Sequence, residues 1–210
     1  LPATLWQPGV IYRDRYLLPP AANAEAPTIA GLHAGLYRRG GERIAAPLLD
    51  IVPLRPVEPL SQEVAYPVGA RLGETITLVG YDLTPPQAEE RTRGSIPPGA
   101  TLTVTLVWRA EATPETDYTG FVHLIDESGA LAAQDDHPPL EGEYRTSFWA
   151  AGDIVRDTYR LTLKESQAPC NCTLQVGMYD PATDTRLPAY DGLGERFKED
   201  SIVAGGVTVR

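Results

Sequence analysis

With 210 residues and a mass of 22.8 kDa, the chain has room for one large β domain or for one and a half ordinary ones. Its 18 Lys and Arg against 28 Asp and Glu leave a net charge of −10, which repels polyanions and excludes nucleic acid as an expected partner. Hydrophobic residues make up 42% of the chain, enough for a core, while 20 prolines and 19 glycines break it too often for long helices. No apolar run approaches the ~20 residues of a membrane-spanning helix, so no membrane span is expected within the chain. It opens on Leu1 rather than Met, and a processed chain or an excised fragment is expected.

The first stretch reads as three strands, Val10–Leu18, Thr28–Tyr37 and Ile44–Leu54. Next comes Ile76–Leu83, bounded by Gly73 and by Pro85-Pro86, and Pro86–Arg93 carries the only hint of helix. Beyond the Pro97-Pro98-Gly99 turn, Thr101–Trp108 alternates Leu102, Val104, Leu106 and Trp108 with three threonines, the pattern of a strand with one buried and one wet face. Tyr118–Ile125 and Ala130–Asp135 read as a hairpin around Asp126-Glu127-Ser128-Gly129. Ile154–Leu163, Cys172–Tyr179 and Ile202–Arg210 complete the set, with Asp180-Pro181 opening a type I turn. So many short strands between Pro and Gly turns predict an all-β, antiparallel β-sandwich of jelly-roll or immunoglobulin-like type.

The only cysteines, Cys170 and Cys172, stand at i and i+2 of a strand and so face the same side. A disulfide closing so short a loop stabilises little, so two half-buried thiols are expected, with their redox state open. Zinc would need further ligands at finger-like spacing, and His33, His123 and His137 are scattered; neither metal nor cofactor is expected.

The chain repeats itself. Trp6, Gly9, Arg13, Asp14, Tyr16 and Leu18 match Trp149, Gly152, Arg156, Asp157, Tyr159 and Leu161, a shared W-x-x-G-x-x-x-R-D-x-Y-x-L. After a loop of similar length, Gly35-Leu36-Tyr37 matches Gly177-Met178-Tyr179, and Arg43 matches Arg186 with one residue of slip. Residues 1–56 therefore read as the second half of a sandwich module and 57–210 as a complete one. Residues 1–59 carry six Arg and five acids, a net +1, and the other 151 carry twelve basic and twenty-three acidic groups, a net −11. Half a sandwich bares an apolar face and an open edge. Cover by the complete module of the same chain is expected first, self-association through Leu1–Pro56 second, and a missing first half third.

Several of these segments carry a family resemblance: the run from Ile76 to Leu83, Val107-Trp108-Arg109-Ala110, the run from Phe121 to Asp126, Trp149-x-x-Gly152-Asp153 and Gly177-Met178-Tyr179-Asp180-Pro181. Together they resemble the repeated β-sandwich modules of large cell-envelope proteins in filamentous, often thermophilic bacteria, which often follow membrane glycosyltransferase-like proteins. The resemblance implies an extracytoplasmic or cell-surface location, other domains of the same parent protein as partners, and a non-catalytic role.

Two groups of residues could carry chemistry. Trp149 with Arg156, Asp157 and Tyr159 could form a sugar platform, an indole stacking on a pyranose while Arg and Asp bind its hydroxyls. Because the pattern recurs, a structural corner in which an ion pair and the Tyr hydroxyl satisfy a sheet end is the simpler reading. His123, Asp126, Asp135, Asp136 and His137 could gather across the hairpin as metal ligands or as acid and base, against the reading of a solvated acidic loop. No nucleophile elbow, P-loop, zinc-protease or dinucleotide motif occurs, so no catalytic residue is assigned. The expected function is a structural or protein-interaction module; a carbohydrate-binding module, with polysaccharide as partner, and a glycan-active enzyme are the alternatives.

Overall fold

The computed structural model describes residues 7–8, 15–19, 26–38, 41–56, 58, 60–84 and 95–210. The helical hint at Pro86–Arg93 and the first tryptophan of the repeat, Trp6, lie outside the described residues. The described part is all-β. Four strands come first: β1 (Thr28–His33), β2 (Leu36–Tyr37), β3 (Arg43–Ala45) and β4 (Leu48–Leu54). The main body follows with β5 (Tyr66–Leu72), β6 (Ile76–Thr84), β7 (Ser95–Ile96), β8 (Thr101–Ala110), β9 (Thr119–Ile125) and β10 (Leu131–His137). Short 3-10 turns at Pro139–Gly142 and Thr146–Phe148 lead to β11 (Ile154–Thr162) and β12 (Cys170–Asp180). The last strands are β13 (Thr185–Arg186), β14 (Ala189–Tyr190) and β15 (Ile202–Val209).

Two sheets form the sandwich, one ordered β11-β8-β6-β5-β14 and the other β10-β9-β12-β15-β7, with β13 on the far end of β12. Among the passages between the sheets are those from β8 to β9, from β10 to β11 and from β11 to β12. The chain thereby sets β11 beside β8 and β12 beside β9, while β7 pairs in parallel with β15. In the usual lettering this is A-B-E against C′-C-F-G, which is the immunoglobulin order, with β5 and the short edge strand β14 added beside A. Of the two sandwich types expected, the pairing selects this one.

The core lies between the sheets because alternation sends one side of each strand inward. On β8, Leu102, Val104, Leu106 and Trp108 are buried against Val122 and Leu124 of β9 and Leu174, Val176 and Met178 of β12. The turns form as their residues dictate. Asp126 accepts from the backbone N–H of Ser128 and of Ala130, Gly129 takes a positive φ of 85°, and Asp180 caps its own turn through Ala182.

Several expectations are corrected. Cys170 and Cys172 form a disulfide rather than two thiols: both face inward, and their Cα atoms stand 5.4 Å apart, within disulfide reach. β5 escaped the sequence reading because Pro67 and Gly69 look like breakers; both sit where the β5–β6 register shifts, Gly69 at φ 72°. The strand expected over Val10–Leu18 is absent where it is described, at residues 15–19, and Tyr16, Leu17 and Leu18 are exposed. At the second occurrence of the motif the matching strand, β11, is zipped to β8 along nine residue pairs, and among the described residues no strand pairs with residues 15–19. The other two early strands are present but broken, Thr28–Tyr37 into β1 and β2 and Ile44–Leu54 into β3 and β4. The hairpin they build does not lay its apolar face on the sandwich. It touches the body through Ile29 and through Arg55, which pairs with Asp153 at 3.0 Å and donates to the Phe148 carbonyl at 2.7 Å.

Candidate functional site

The residues of interest meet where β10 leaves one sheet and β11 enters the other. His137 ends β10, and Pro138 turns the chain into a tight crossing in which Leu140 and Glu141 adopt positive φ angles of 51° and 55°. This strained crossing is held from below by Asp157 on β11. One oxygen of its carboxylate accepts from the Leu140 backbone N–H at 3.0 Å, and the other from the Tyr159 hydroxyl at 2.8 Å. The Tyr159 ring stacks on the His137 imidazole at 4.1 Å. Gly120 of β9 lies beneath the Tyr159 hydroxyl, where a methyl group would overlap it.

All three side chains are buried, and their ionisation reflects it. Burial raises the Asp157 carboxyl above its ordinary value, against the hydrogen bond from Tyr159 and the charge of His137. Burial also lifts the Tyr159 phenol well above its usual value, and the neighbouring carboxylates add to the shift. For His137, burial works against the cation, but the Pro138 carbonyl and the charges of Asp157, Asp135 and Glu141 outweigh it, so its pKa is raised. His137 Nδ1 donates to the Pro138 carbonyl at 3.0 Å, whereas the buried Nε2 has no hydrogen-bond partner and lies 4.0 Å from Asp135. Asp135 itself accepts from the Arg160 backbone N–H at 2.6 Å, which ties β10 to β11 across the open edge between the sheets.

Strand alternation divides the rest of the histidine-acid group. Asp136 faces the other side of β10 and pairs with His123 at 3.0 Å, beside Phe121, over whose ring Arg186 lies at 4.6 Å. Asp126 is at the far end of the hairpin, capping its turn. Asp135 and His137 thus stand on one face and Asp136 and His123 on the other, with Asp126 apart from both. Among the described residues no group of three or more His, Cys, Asp and Glu side chains is arranged as metal ligands would be.

The tryptophan group is divided by the same rule. Arg156 and Asp157 are neighbours in β11 and point to opposite faces, so they do not form the ion pair expected of them. Arg156 instead pairs with Asp82 of β6 at 2.6 Å and donates to the Ser61 and Glu63 carbonyls, tying down the segment that leads into the sandwich. Trp149 is fully buried and its indole N–H donates to the Tyr144 carbonyl at 3.0 Å. Neither face of the Trp149 indole is left for a sugar.

Around Trp149 the central groups are Tyr144 and Asp153, which the sequence reading missed. Asp153 accepts from the Tyr144 hydroxyl at 2.8 Å, from the Ala150 N–H at 2.9 Å and from Arg55 at 3.0 Å. Burial, and then the hydrogen bond to Asp153 and its charge, push the Tyr144 phenol far up. Asp153 follows the repeated glycine, but its counterpart in the first copy is Val10, so the repeat did not flag it. A hollow of about 140 Å³ opens here, bordered by Pro27, Arg55, Pro56, Tyr144, Asp153 and Ile154. It is about half the smallest size usual for ligand pockets, ~300 Å³.

The fold and this corner define an all-β sandwich of immunoglobulin-type strand order in which the motif at Trp149–Leu161 is consumed by its own packing. No protein-family model matches the chain, and no curated protein matches it.

Proposed function

We propose that the chain is a non-catalytic, extracytoplasmic module with a structural or interaction role in a larger cell-envelope protein. The observation that carries this reading is the state of the repeated motif. Trp149 is buried, Asp157 and Tyr159 satisfy the β10–β11 crossing, and Arg156 is engaged with Asp82 and two carbonyls. A ligand platform presents such groups to solvent, whereas here they join strands. The Cys170–Cys172 disulfide supports a location outside the reducing cytoplasm. The resemblance to envelope modules points the same way.

The location is tested by mass spectrometry of the protein taken from its native cells under alkylating, non-reducing conditions. An intact Cys170–Cys172 bridge is expected; alkylated thiols would overturn an extracytoplasmic location. The role is tested on a polysaccharide array, where no binding is expected from the whole chain. Saturable binding that is lost on His123→Ala or Asp136→Ala would replace the structural reading with the carbohydrate-binding one, since that pair is the part of the group on the sheet's outer face.

A further inference from the structure

The N-terminal hairpin pairs as the last strands of the sandwich do. In the complete copy, β12 pairs with β15 from Cys170↔Val209 to Leu174↔Gly205, then slips by a bulge so that Gln175 faces Val203. In the hairpin, β1 pairs with β4 from Thr28↔Leu54 to Leu32↔Asp50, then slips so that His33 faces Leu48. Moved by the spacing that sets Gly35 on Gly177, Thr28 falls on Cys170, Leu32 on Leu174 and His33 on Gln175, so the bulge recurs at the same step. Further along, Tyr37 pairs with Arg43 as Tyr179 pairs with Arg186. β1 with β2 therefore matches β12, β3 matches β13 and β4 matches β15. Only β14 has no counterpart, and β14 pairs with β5, in the sheet that the first copy lacks.

The correspondence fixes which face is meant to be covered. The matches of Met178 and Val207, which are 0% and 7% exposed, are Leu36 and Val52, which are 52% and 39% exposed. Leu48, the match of the exposed Val203, belongs to the outer face. The rest of the inner face, Thr28, Ala30, Leu32 and Leu54, is half-buried where its matches Cys170, Cys172, Leu174 and Val209 are buried, and on the outer face Ile29, the match of the exposed Asn171, rests against the neighbouring sandwich. Strand pairing conserved down to a bulge records the surface that the strands were shaped to sit on.

We infer that Thr28–Leu54 is the F–G hairpin of a second sandwich of the same kind, and that its incompletely covered inner face takes a half-sandwich equivalent to residues 57–143 of this chain. The occupant supplies one strand to pair with β1, as β9 pairs with β12, and an opposing sheet to cover Leu36 and Val52. One local condition follows. Asp50 stands where the complete copy has Gly205, whose Cα hydrogen points at the Tyr81 hydroxyl, so the natural occupant has something smaller or hydrogen-bonding in place of Tyr81. The inference stands on pairing register and does not depend on the role proposed above.

The test compares the 210-residue chain with the same chain extended at its N-terminus by a second copy of residues 57–143, both carrying Asp50→Gly to make room for Tyr81. Amide hydrogen exchange is read by mass spectrometry, with β8 and β12 as the internal measure of folding. The β1 and β4 amides are expected to exchange fast in the 210-residue chain and at least about 100-fold more slowly in the extended one, which stays monomeric in light scattering. Val52→Asp in the extended chain should abolish the slowing, and Leu48→Asp, on the outer face, should not. Three results overturn the inference: no slowing in the extended chain, slowing already present in the monomeric 210-residue chain, or slowing there that disappears on dilution, which would make a second copy the occupant.

Discussion

Replacing Asp157 by Ala tests the corner at its centre. The side chain is buried and accepts two hydrogen bonds, from the Leu140 N–H and from the Tyr159 hydroxyl. Each donor left without an acceptor in a dry site costs about 1–3 kcal/mol. Loss of the carboxylate also removes its own desolvation cost, visible in its raised pKa, so the net penalty falls in the lower half of the summed range of about 2–6 kcal/mol, at about 3 kcal/mol. For a sandwich of this size that is a fall in Tm of about 6–12 °C. Tyr159→Phe removes one of the two bonds and should cost about 1 kcal/mol. Because the two side chains share that bond, the double variant should lose about 1–2 kcal/mol less than the sum of the single ones. Differential scanning calorimetry with urea unfolding followed by circular dichroism gives all four stabilities. The reasoning fails if Asp157→Ala lies within about 0.5 kcal/mol of the parent chain, as a surface change would, or if the two substitutions simply add.

Four further outcomes are expected. His137 has a folded pKa above its ordinary 6.5, so the stability it adds is whole below that value and is lost as pH rises through the folded pKa. Asp157, also raised, acts with the same sign from its ordinary 3.8 upward. Tm should therefore fall between about pH 6 and 8, and His137→Phe should flatten the decline; a Tm that rises over this interval contradicts the assignment. Reducing the disulfide should cost at most about 1.6 kcal/mol on the chain-entropy estimate for a three-residue loop, and a loss above about 3 kcal/mol by urea unfolding in reductant would show that the bridge holds more than its loop. Gly120→Ala, forced against the Tyr159 hydroxyl, should destabilise by about 1–3 kcal/mol, and an unchanged Tm would mean that Tyr159 can yield. Arg156→Ala should cost only about 1 kcal/mol, since the pair with Asp82 is partly exposed, yet it should speed limited proteolysis between Pro56 and Val64; unchanged cleavage there would deny its tethering role.

What could be read in the sequence was whatever repeats over two residues or over a module. The alternation of β8 announces its buried face, and the same rule correctly separates Phe121 and His123 from Val122 and Leu124 on β9. The W-x-x-G-x-x-x-R-D-x-Y-x-L match marks the corner at Trp149. What could not be read depends on partners distant in the chain. Arg156 finds Asp82 across 74 residues, and Arg55 finds Asp153 across 98. The alternation that located the strands also undid the expected Arg156–Asp157 ion pair and divided the His123–His137 group. Applied to those neighbours as it was to β9, it would have corrected both readings. The two cysteines show the opposite limit: their shared face was legible, but the 5.4 Å approach that permits the bridge is a property of the folded strand end.

The repeated motif reads most economically as the solution to one mechanical problem. An immunoglobulin-type sandwich must pass its chain from an edge of one sheet to an edge of the other, and the passage leaves backbone groups that neither ladder satisfies. Here the crossing runs from His137 to Ile154. Each motif residue answers one need of that passage. Trp149 fills the space under the crossing and donates to its Tyr144 carbonyl, and Gly152 takes the positive φ of 89° that turns the chain into β11. Asp157 accepts the stranded Leu140 N–H, Tyr159 satisfies Asp157, and Leu161 packs into the core. Arg156, facing outward, holds the segment on which the module begins. At Trp149 every residue of the pattern is spent on that passage.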